Sequence, residues 1–181
     1  WALAMLARSQ HNDEDLVNAH ASATRGMQRF PDSRGGTTCF NLLQQIEAPS
    51  LSVSAEQVWN AAGPEVNVTF RNVGKVHFRI IPFDYKSWNW GRHRTPEQLS
   101  GNERRALLKH QPTSAWTAVL PSNDNFQQQT ETLTPNVDMP PGSYVLIAST
   151  QDDFRMDSDN AMASTHIWVS DLAVVTRGRG E

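Results

Sequence analysis

Few residues of this sequence combine the side-chain type and the spacing that catalysis or metal binding requires. The single cysteine, Cys39, stands beside Phe40 in a stretch that reads as helix, where a free thiol ordinarily packs as a small apolar side chain. The six histidines include no pair at the i, i+4 or His-x-His spacing typical of zinc sites. The serines lack a Gly-x-Ser-x-Gly elbow or similar nucleophile motif. We therefore expect no catalytic residue, no metal and no cofactor.

Acidic residues gather between Asp152 and Asn160 and raise the question of a calcium site. An EF-hand loop that begins at Asp157 would need glycine at its sixth position and glutamate at its twelfth, but Met162 and Trp168 stand there. The sequence predicts a solvated acidic loop, with a calcium site of another type as the alternative.

The aromatic and basic segment around Trp88 and Trp90 carries the candidate partner-binding residues. Two tryptophans with basic neighbours could stack on a sugar or pack against a protein partner. The other interpretation is that both cover an apolar edge of the fold beneath a long loop, as buried tryptophans commonly do. The residues alone leave both open.

Composition excludes some classes of partner. The chain has 181 residues and a formal net charge of -3, with its lysines and arginines scattered along the sequence, so it lacks the basic field that nucleic acid binding needs. Its longest apolar runs, such as Tyr144 to Ala148, are much shorter than the roughly 20 residues that span a bilayer. The sequence opens on Trp1 without a signal-peptide pattern, and we expect it to be a piece of a longer polypeptide.

The elements that would position these residues begin with helices in residues 1-47. Asn12 reads as the N-cap of a helix that Pro31 closes, with an apolar face formed by Leu16, Ala19, Ala23, Met27 and Phe30. A second helix is predicted from Thr37 or Thr38, after a flexible Gly35-Gly36 pair, with Phe40, Leu43 and Ile46 facing inward. Together with the first residues they predict a small helical hairpin.

From residue 48 to residue 178 the pattern is that of strands. Apolar and polar residues alternate from Val66 to Arg71 and from Val76 to Ile80 around an Asn72-Val73-Gly74 turn. Further strands are predicted at 51–54, 116–120, 128–134, 144–150 and 165–176, which gives about seven strands and a mainly β fold. The predicted architecture is an antiparallel β-sandwich of immunoglobulin-like or fibronectin-like type, with a helical insertion near 95-110 capped by Thr95.

Particular segments resemble the first macroglobulin-like domain of the bacterial alpha-2-macroglobulin family. They are Gln45 to Leu51, Val68 to Val73 with the following Val76 to Ile80, Leu133 to Pro135, Pro141 to Ser149, and Ile167 to Ala173. The resemblance covers most of residues 45–177 and concerns scaffold residues.

That resemblance implies a macroglobulin domain of a large protease trap, an endopeptidase inhibitor of the periplasm whose full-length form is a lipoprotein anchored to the inner membrane. The implied partners are neighbouring domains of the same polypeptide and, through the full-length protein, proteases. Capture through a thioester needs a Cys-Gly-Glu-Gln type loop, and Cys39 is not followed by one. The expected function is therefore non-catalytic and structural; the alternative is a cell-surface β-sandwich module that binds a carbohydrate or a protein partner through Trp88 and Trp90.

Overall fold

The computed structural model describes residues 1–59, 64–84 and 99–170. In this part of the chain there are four helices and eight strands. The helices are α1 (Ala2–Asn12), α2 (Leu16–Arg29), α3 (Arg34–Glu47) and α4 (Gly101–Leu107). The strands are β1 (Ser50–Ala55), β2 (Val58–Trp59), β3 (Val66–Arg71), β4 (Lys75–Pro82), β5 (Ser114–Val119), β6 (Gln129–Leu133), β7 (Gly142–Ser149) and β8 (Met162–Val169).

The chain divides into two compact units. The first comprises Trp1–Ser50 together with Phe70–Gly74 and Leu120–Gln129. The second comprises Leu51–Thr69, Lys75–Val119 and the chain from Thr130 onward. The first unit thus contains the turn between β3 and β4 as well as the helices α1, α2 and α3.

The helical segment contains three helices rather than a hairpin. Asn12 ends α1, so its prediction as an N-cap was wrong; Asp15 caps α2 instead, and its carboxylate accepts from the Asn18 N–H. Helix α3 begins at Arg34, earlier than predicted, because the Ser33 hydroxyl accepts from the Gly36 N–H at 3.0 Å.

Gly36 lies inside the first turn of α3 and is not part of a flexible linker. A Cβ at this position would collide with the main-chain carbonyl of Phe30, at the end of α2. Glycine is therefore needed for the close approach of the two helix ends.

Small residues form the core of the first unit. Ala4 and Ala7 of α1, Ala23 of α2, and Cys39 and Leu43 of α3 pack together. Leu43 and Ile46 are buried as predicted, but Phe40 is 48% exposed, so its predicted inward position was wrong. Phe30, predicted on the apolar face of the preceding helix, follows the end of α2 and is 51% exposed.

The side chain of Asn72 caps the end of α3. Its amide nitrogen donates to the main-chain carbonyl of Ile46 at 2.7 Å and, at 3.3 Å, to that of Ala48. Asn72 has a φ of 55°, a left-handed conformation that asparagine tolerates better than most residues. A residue of the β3–β4 turn thus satisfies carbonyl groups that a helix end leaves without partners.

The strands form two sheets, of three strands in the order β1-β3-β6 and of five strands in the order β2-β8-β7-β4-β5. In the larger sheet, β4, β5, β7 and β8 pair antiparallel, whereas β2 pairs parallel with β8. The predicted wholly antiparallel arrangement is thus wrong at β2, a short strand that the sequence pattern did not reveal.

The centre of the larger sheet is buried on both faces. Ile80 and Ile81 of β4 are neighbours in sequence and both fully buried, as are Val145, Leu146 and Ile147 of β7. One face packs in a cluster of Ile81, Phe83, Leu99, Val145, Ile147 and Phe154, against which Leu107 and Leu108 pack. Of the residues predicted inside, Phe70, Phe78, Ile80 and Leu146 are buried, but Val169 is only half-buried.

The fold is mixed α/β with a strand-rich core, so the predicted strand-rich part is confirmed, whereas the helices make up more of the chain than a mainly β fold implies. The helical insertion is present as α4, but its cap is Ser100, whose hydroxyl accepts from the Glu103 N–H while the Glu103 carboxylate accepts from the Ser100 N–H. The predicted cap Thr95 lies outside the described residues. The assignment as a macroglobulin-like β-sandwich stays a prediction.

Candidate functional site

An open groove lies beside the start of β7 in the second unit. It has a volume of about 690 Å³, and Pro82, Phe83, Asp84, Leu107, His110, Gly142, Ser143 and Tyr144 line it. The end of β4, the start of β7 and the end of α4 position these side chains. Its apolar walls with few polar groups are typical of small-ligand or peptide sites.

Ser143 and His166 form the hydrogen-bonded pair at this groove. Val145 pairs with His166 and Ser143 with Trp168 across β7 and β8, so Ser143 and His166 are diagonal neighbours on one face of the sheet. The Ser143 hydroxyl lies 2.8 Å from His166 Nε2. His166 is only 6% exposed and lies edge-on to the rings of Phe83 and Trp168.

A serine and an imidazole at this distance are one part of a nucleophilic site. Such a site also needs a group that orients the imidazole and donors placed at the developing oxyanion. A diagonal cross-strand hydrogen bond, by contrast, needs nothing beyond the pairing of β7 with β8. The Ser143–His166 hydrogen bond joins β7 to β8 at the groove wall.

Tyr144 fixes the rim of the groove. Its hydroxyl donates to the main-chain carbonyl of Pro140 at 2.8 Å, and the residue is 5% exposed. Burial raises the pKa of the phenol because the phenolate would lose its hydration. The hydroxyl therefore remains a hydrogen-bond donor at neutral pH.

Trp88 and Trp90, the predicted partner-binding residues, lie outside the described residues. The segment that contains them, residues 85–98, follows Asp84 in the groove wall and precedes Leu99. Phe83 and Leu99, on either side of it, belong to one apolar cluster. The binding role of the two tryptophans stays a prediction.

The acidic loop is held by hydrogen bonds and ion pairs within itself. Arg155 Nε lies 2.5 Å from a carboxylate oxygen of Asp153 and 3.8 Å from one of Asp157. The side-chain oxygen of the buried Asn160 accepts from the hydroxyls of Ser149 and Thr150 and from main-chain N–H groups. Among the residues that the structure describes, no three metal-ligating side chains converge.

Cys39 is buried at 1% exposure, as predicted. A Cβ added to Gly26 of α2 would lie 2.5 Å from the Cys39 sulfur in α3. The two helices therefore approach closely at this point. Burial raises the pKa of the thiol because the thiolate would lose its hydration. A thiol in this environment is protonated at neutral pH and a poor nucleophile.

The groove and its Ser143–His166 pair were not found from the sequence. Both residues fall in or next to predicted strands, but the register that makes them neighbours depends on which strands pair. The alternation of apolar and polar residues predicts which face of the sheet a side chain lies on, but it does not predict which residue of another strand lies beside it.

Comparisons with known proteins do not identify a family. No family model matches this chain, and no curated protein matches it. Among solved structures, the chain is similar to "Crystal structure of BslA - A bacterial hydrophobin", with 14% identity, a TM-score of 0.29, and coverage of 69% of this chain and 97% of that chain. A TM-score of this size does not establish a shared fold. In the described part of the chain, none of the helices has the length and apolar character needed to cross a membrane.

Proposed function

We propose that this chain is a non-catalytic structural domain of a large bacterial alpha-2-macroglobulin-like protein, an endopeptidase inhibitor of the periplasm. The full-length protein would be anchored to the inner membrane through a lipid. The chain's own partners would be the neighbouring domains of the same polypeptide, and proteases would be engaged only by the full-length protein.

The observation that carries this proposal is the link between two of the segments that resemble the family. The segment Gln45–Leu51 contains the end of α3, and the segment Val68–Val73 contains the turn after β3. Asn72 of the second segment donates to the carbonyls of Ile46 and Ala48 in the first. Residues far apart in sequence that resemble one family thus make one structural contact, as a shared scaffold requires.

The reactive side chains support a structural role as well. The Cys39 thiol is buried, and the carboxylates of Asp153 and Asp157 pair with Arg155 inside their own loop. The thiol thus belongs to the packed core of the helices, and the two carboxylates to the ion pairs of their loop.

Protease inhibition is the experiment that tests the proposal. The chain alone and the full-length polypeptide that contains it are each incubated with trypsin or elastase, and cleavage of a large protein substrate is compared with cleavage of a small peptide substrate. We expect the chain alone to change neither rate, and the full-length protein to protect the protein substrate while the small peptide is still cleaved, because a trapped protease stays active.

Two results would contradict the proposal. Stoichiometric inhibition by the chain alone would show that it is an inhibitor in its own right. Unchanged cleavage of the protein substrate by a protease treated with the full-length polypeptide would remove the trapping function.

A further inference from the structure

The outer edge of β5 has the features of a strand that pairs with another strand. Strand β5 ends the order of the five-stranded sheet and, in the described ranges, pairs with β4 alone. It reads Ser-Ala-Trp-Thr-Ala-Val, without charge or proline, while Pro112 and Pro121 stand on either side of it. Edge strands ordinarily carry lysine, proline or a bulge that prevents pairing with other chains. This edge lacks the charge and the internal proline.

The register identifies which main-chain groups face outward. The Leu120 N–H donates to the Gly74 carbonyl at 3.0 Å, one step beyond the pair of Lys75 with Val119. Residues that bond to a given partner alternate along an antiparallel strand. The main-chain groups of Ala115, Thr117 and Val119 therefore point away from β4.

The side chains at this edge leave the outward groups accessible. Ala115 and Thr117 are exposed, and Val119 is 78% exposed. On the other face, Trp116 stacks on the buried Phe78 with ring centroids 4.7 Å apart. The Thr117 hydroxyl lies 2.9 Å from His77 Nδ1, which fixes the side chain at the middle of the strand.

We propose that this edge pairs with the same edge of a second copy of the chain. The two β5 strands would run antiparallel about a two-fold axis through Thr117. Ala115 of one copy then pairs with Val119 of the other and Thr117 pairs with Thr117, so that all three outward residues of each strand bond across the axis.

Two features of the strand favour its own copy as the occupant. Because β5 itself carries no charge, self-pairing places no like charges directly opposite one another across the axis, and Lys75 and Arg79 lie one strand further away on β4. In this register Trp116 lies opposite Ala118 of the second copy, so a large side chain meets a small one on the same face. An isologous contact of this kind closes after two copies and produces a dimer.

Charge reversal at the axis tests the pairing. Thr117→Lys and Thr117→Glu each place two like charges opposite one another, so each variant alone is expected to sediment as a monomer at concentrations where the wild type sediments as a dimer. An equimolar mixture of the two is expected to regain the dimer, because the opposite charges then face each other. Thr117→Ser, which keeps a neutral hydroxyl, is the matched control and is expected to dimerise as the wild type does.

Cysteine cross-linking tests the register with variants that are close to the wild type in size. The Cα atoms of a directly opposed, hydrogen-bonded pair are about 5.5 Å apart, within the range that a disulfide spans. Thr117→Cys is therefore expected to form a disulfide-linked dimer under mild oxidation. The two copies of Ala115→Cys would be about 13 Å apart along the strand and are expected not to cross-link. Cys39 is buried and should not compete.

Four outcomes would overturn the proposal. They are a wild type that stays monomeric over the whole concentration range, a Thr117→Lys variant that dimerises as strongly as the wild type, cross-linking of Ala115→Cys as readily as Thr117→Cys, and growth beyond the dimer. Growth of that kind would indicate pairing between two different edges.

Discussion

Substitutions of Asn72 separate the hydrogen bonds of its side chain from the conformation of its backbone. The amide donates to the Ile46 carbonyl at 2.7 Å and to the Ala48 carbonyl at 3.3 Å, and φ is 55°. Asn72→Gly removes the amide but accommodates a positive φ. A hydrogen bond contributes a net 0.5–1.5 kcal/mol, and the longer contact is the weaker one, so we expect the free energy of unfolding to fall by about 1 to 2 kcal/mol.

Asn72→Ala should cost more than Asn72→Gly. It loses the same two hydrogen bonds and also places a Cβ in the left-handed region, which costs roughly 1–2 kcal/mol. The expected total loss is about 2 to 4 kcal/mol. Asn72→Asp tolerates the backbone but brings carboxylate oxygens to the two carbonyl oxygens. It should therefore be less stable than Asn72→Gly at neutral pH and recover at acidic pH, where a protonated carboxyl can donate.

Urea unfolding followed by circular dichroism gives the free energies, and hydrogen exchange of the Ala48 amide, which donates to Gln44 in the last turn of α3, reports on the helix end. We expect faster exchange at Ala48 in all three variants. An Asn72→Gly variant as stable as the wild type would show that the cap contributes nothing, and equal stability of Asn72→Gly and Asn72→Ala would refute the backbone argument.

Three further predictions concern the two cores. Gly26→Ala should destabilise by about 1–3 kcal/mol through its contact with the Cys39 sulfur, and a double-mutant cycle should show a smaller effect in a Cys39→Ala background. Leu43→Ala should lower the unfolding free energy by about 2–5 kcal/mol in chemical denaturation, whereas Phe40→Ala, at an exposed position, should change it by less than about 0.5 kcal/mol. Burial raises the pKa of Tyr144, so the unfolded chain loses the phenol proton at lower pH than the folded chain does. The contribution of Tyr144 to the free energy of unfolding is therefore complete below the ordinary phenol pKa of 10.0 and is lost as pH rises toward the folded pKa. When unfolding is measured against pH, Tyr144→Phe should lose less stability than the wild type in that alkaline range.

The alternation of apolar and polar residues predicted much of the sheet, because the apolar residues of each strand lie on its buried face. Val66 and Val68 of β3, and Val76 and Phe78 of β4, are buried as the two-residue period indicated. The pattern fails at Ile80 and Ile81, where both faces of β4 are covered and alternation no longer distinguishes them. A strand as short as β2 has too few residues to show any period.

The helices were less predictable because local signals competed. Asn12 and Asp15 are both good N-cap residues, and the structure uses Asp15 since α1 continues to Asn12. From the sequence alone, the Gly35-Gly36 pair indicates a break between helices. In the structure it occupies the first turn of α3, where Gly36 lies against the Phe30 carbonyl. The need for glycine at position 36 depends on the neighbouring helix end, so the spacing of apolar residues does not reveal it.

The candidate site was not predictable for a related reason. Ser143 and His166 are separated by other residues of β7 and β8 and by the acidic loop, and only strand pairing brings their side chains to 2.8 Å. Tyr144 was predicted at the start of a strand and lies in β7, but the partner of its hydroxyl is the Pro140 carbonyl just before that strand.

Phe83 and Leu99 are buried in one apolar cluster with Ile81 of β4 and with Val145 and Ile147 of β7. Because these side chains fill one core, the volume open to each is set by the others, and substitutions at two of them should not be additive in their effect on stability. In evolutionary terms, these positions are expected to change together rather than singly.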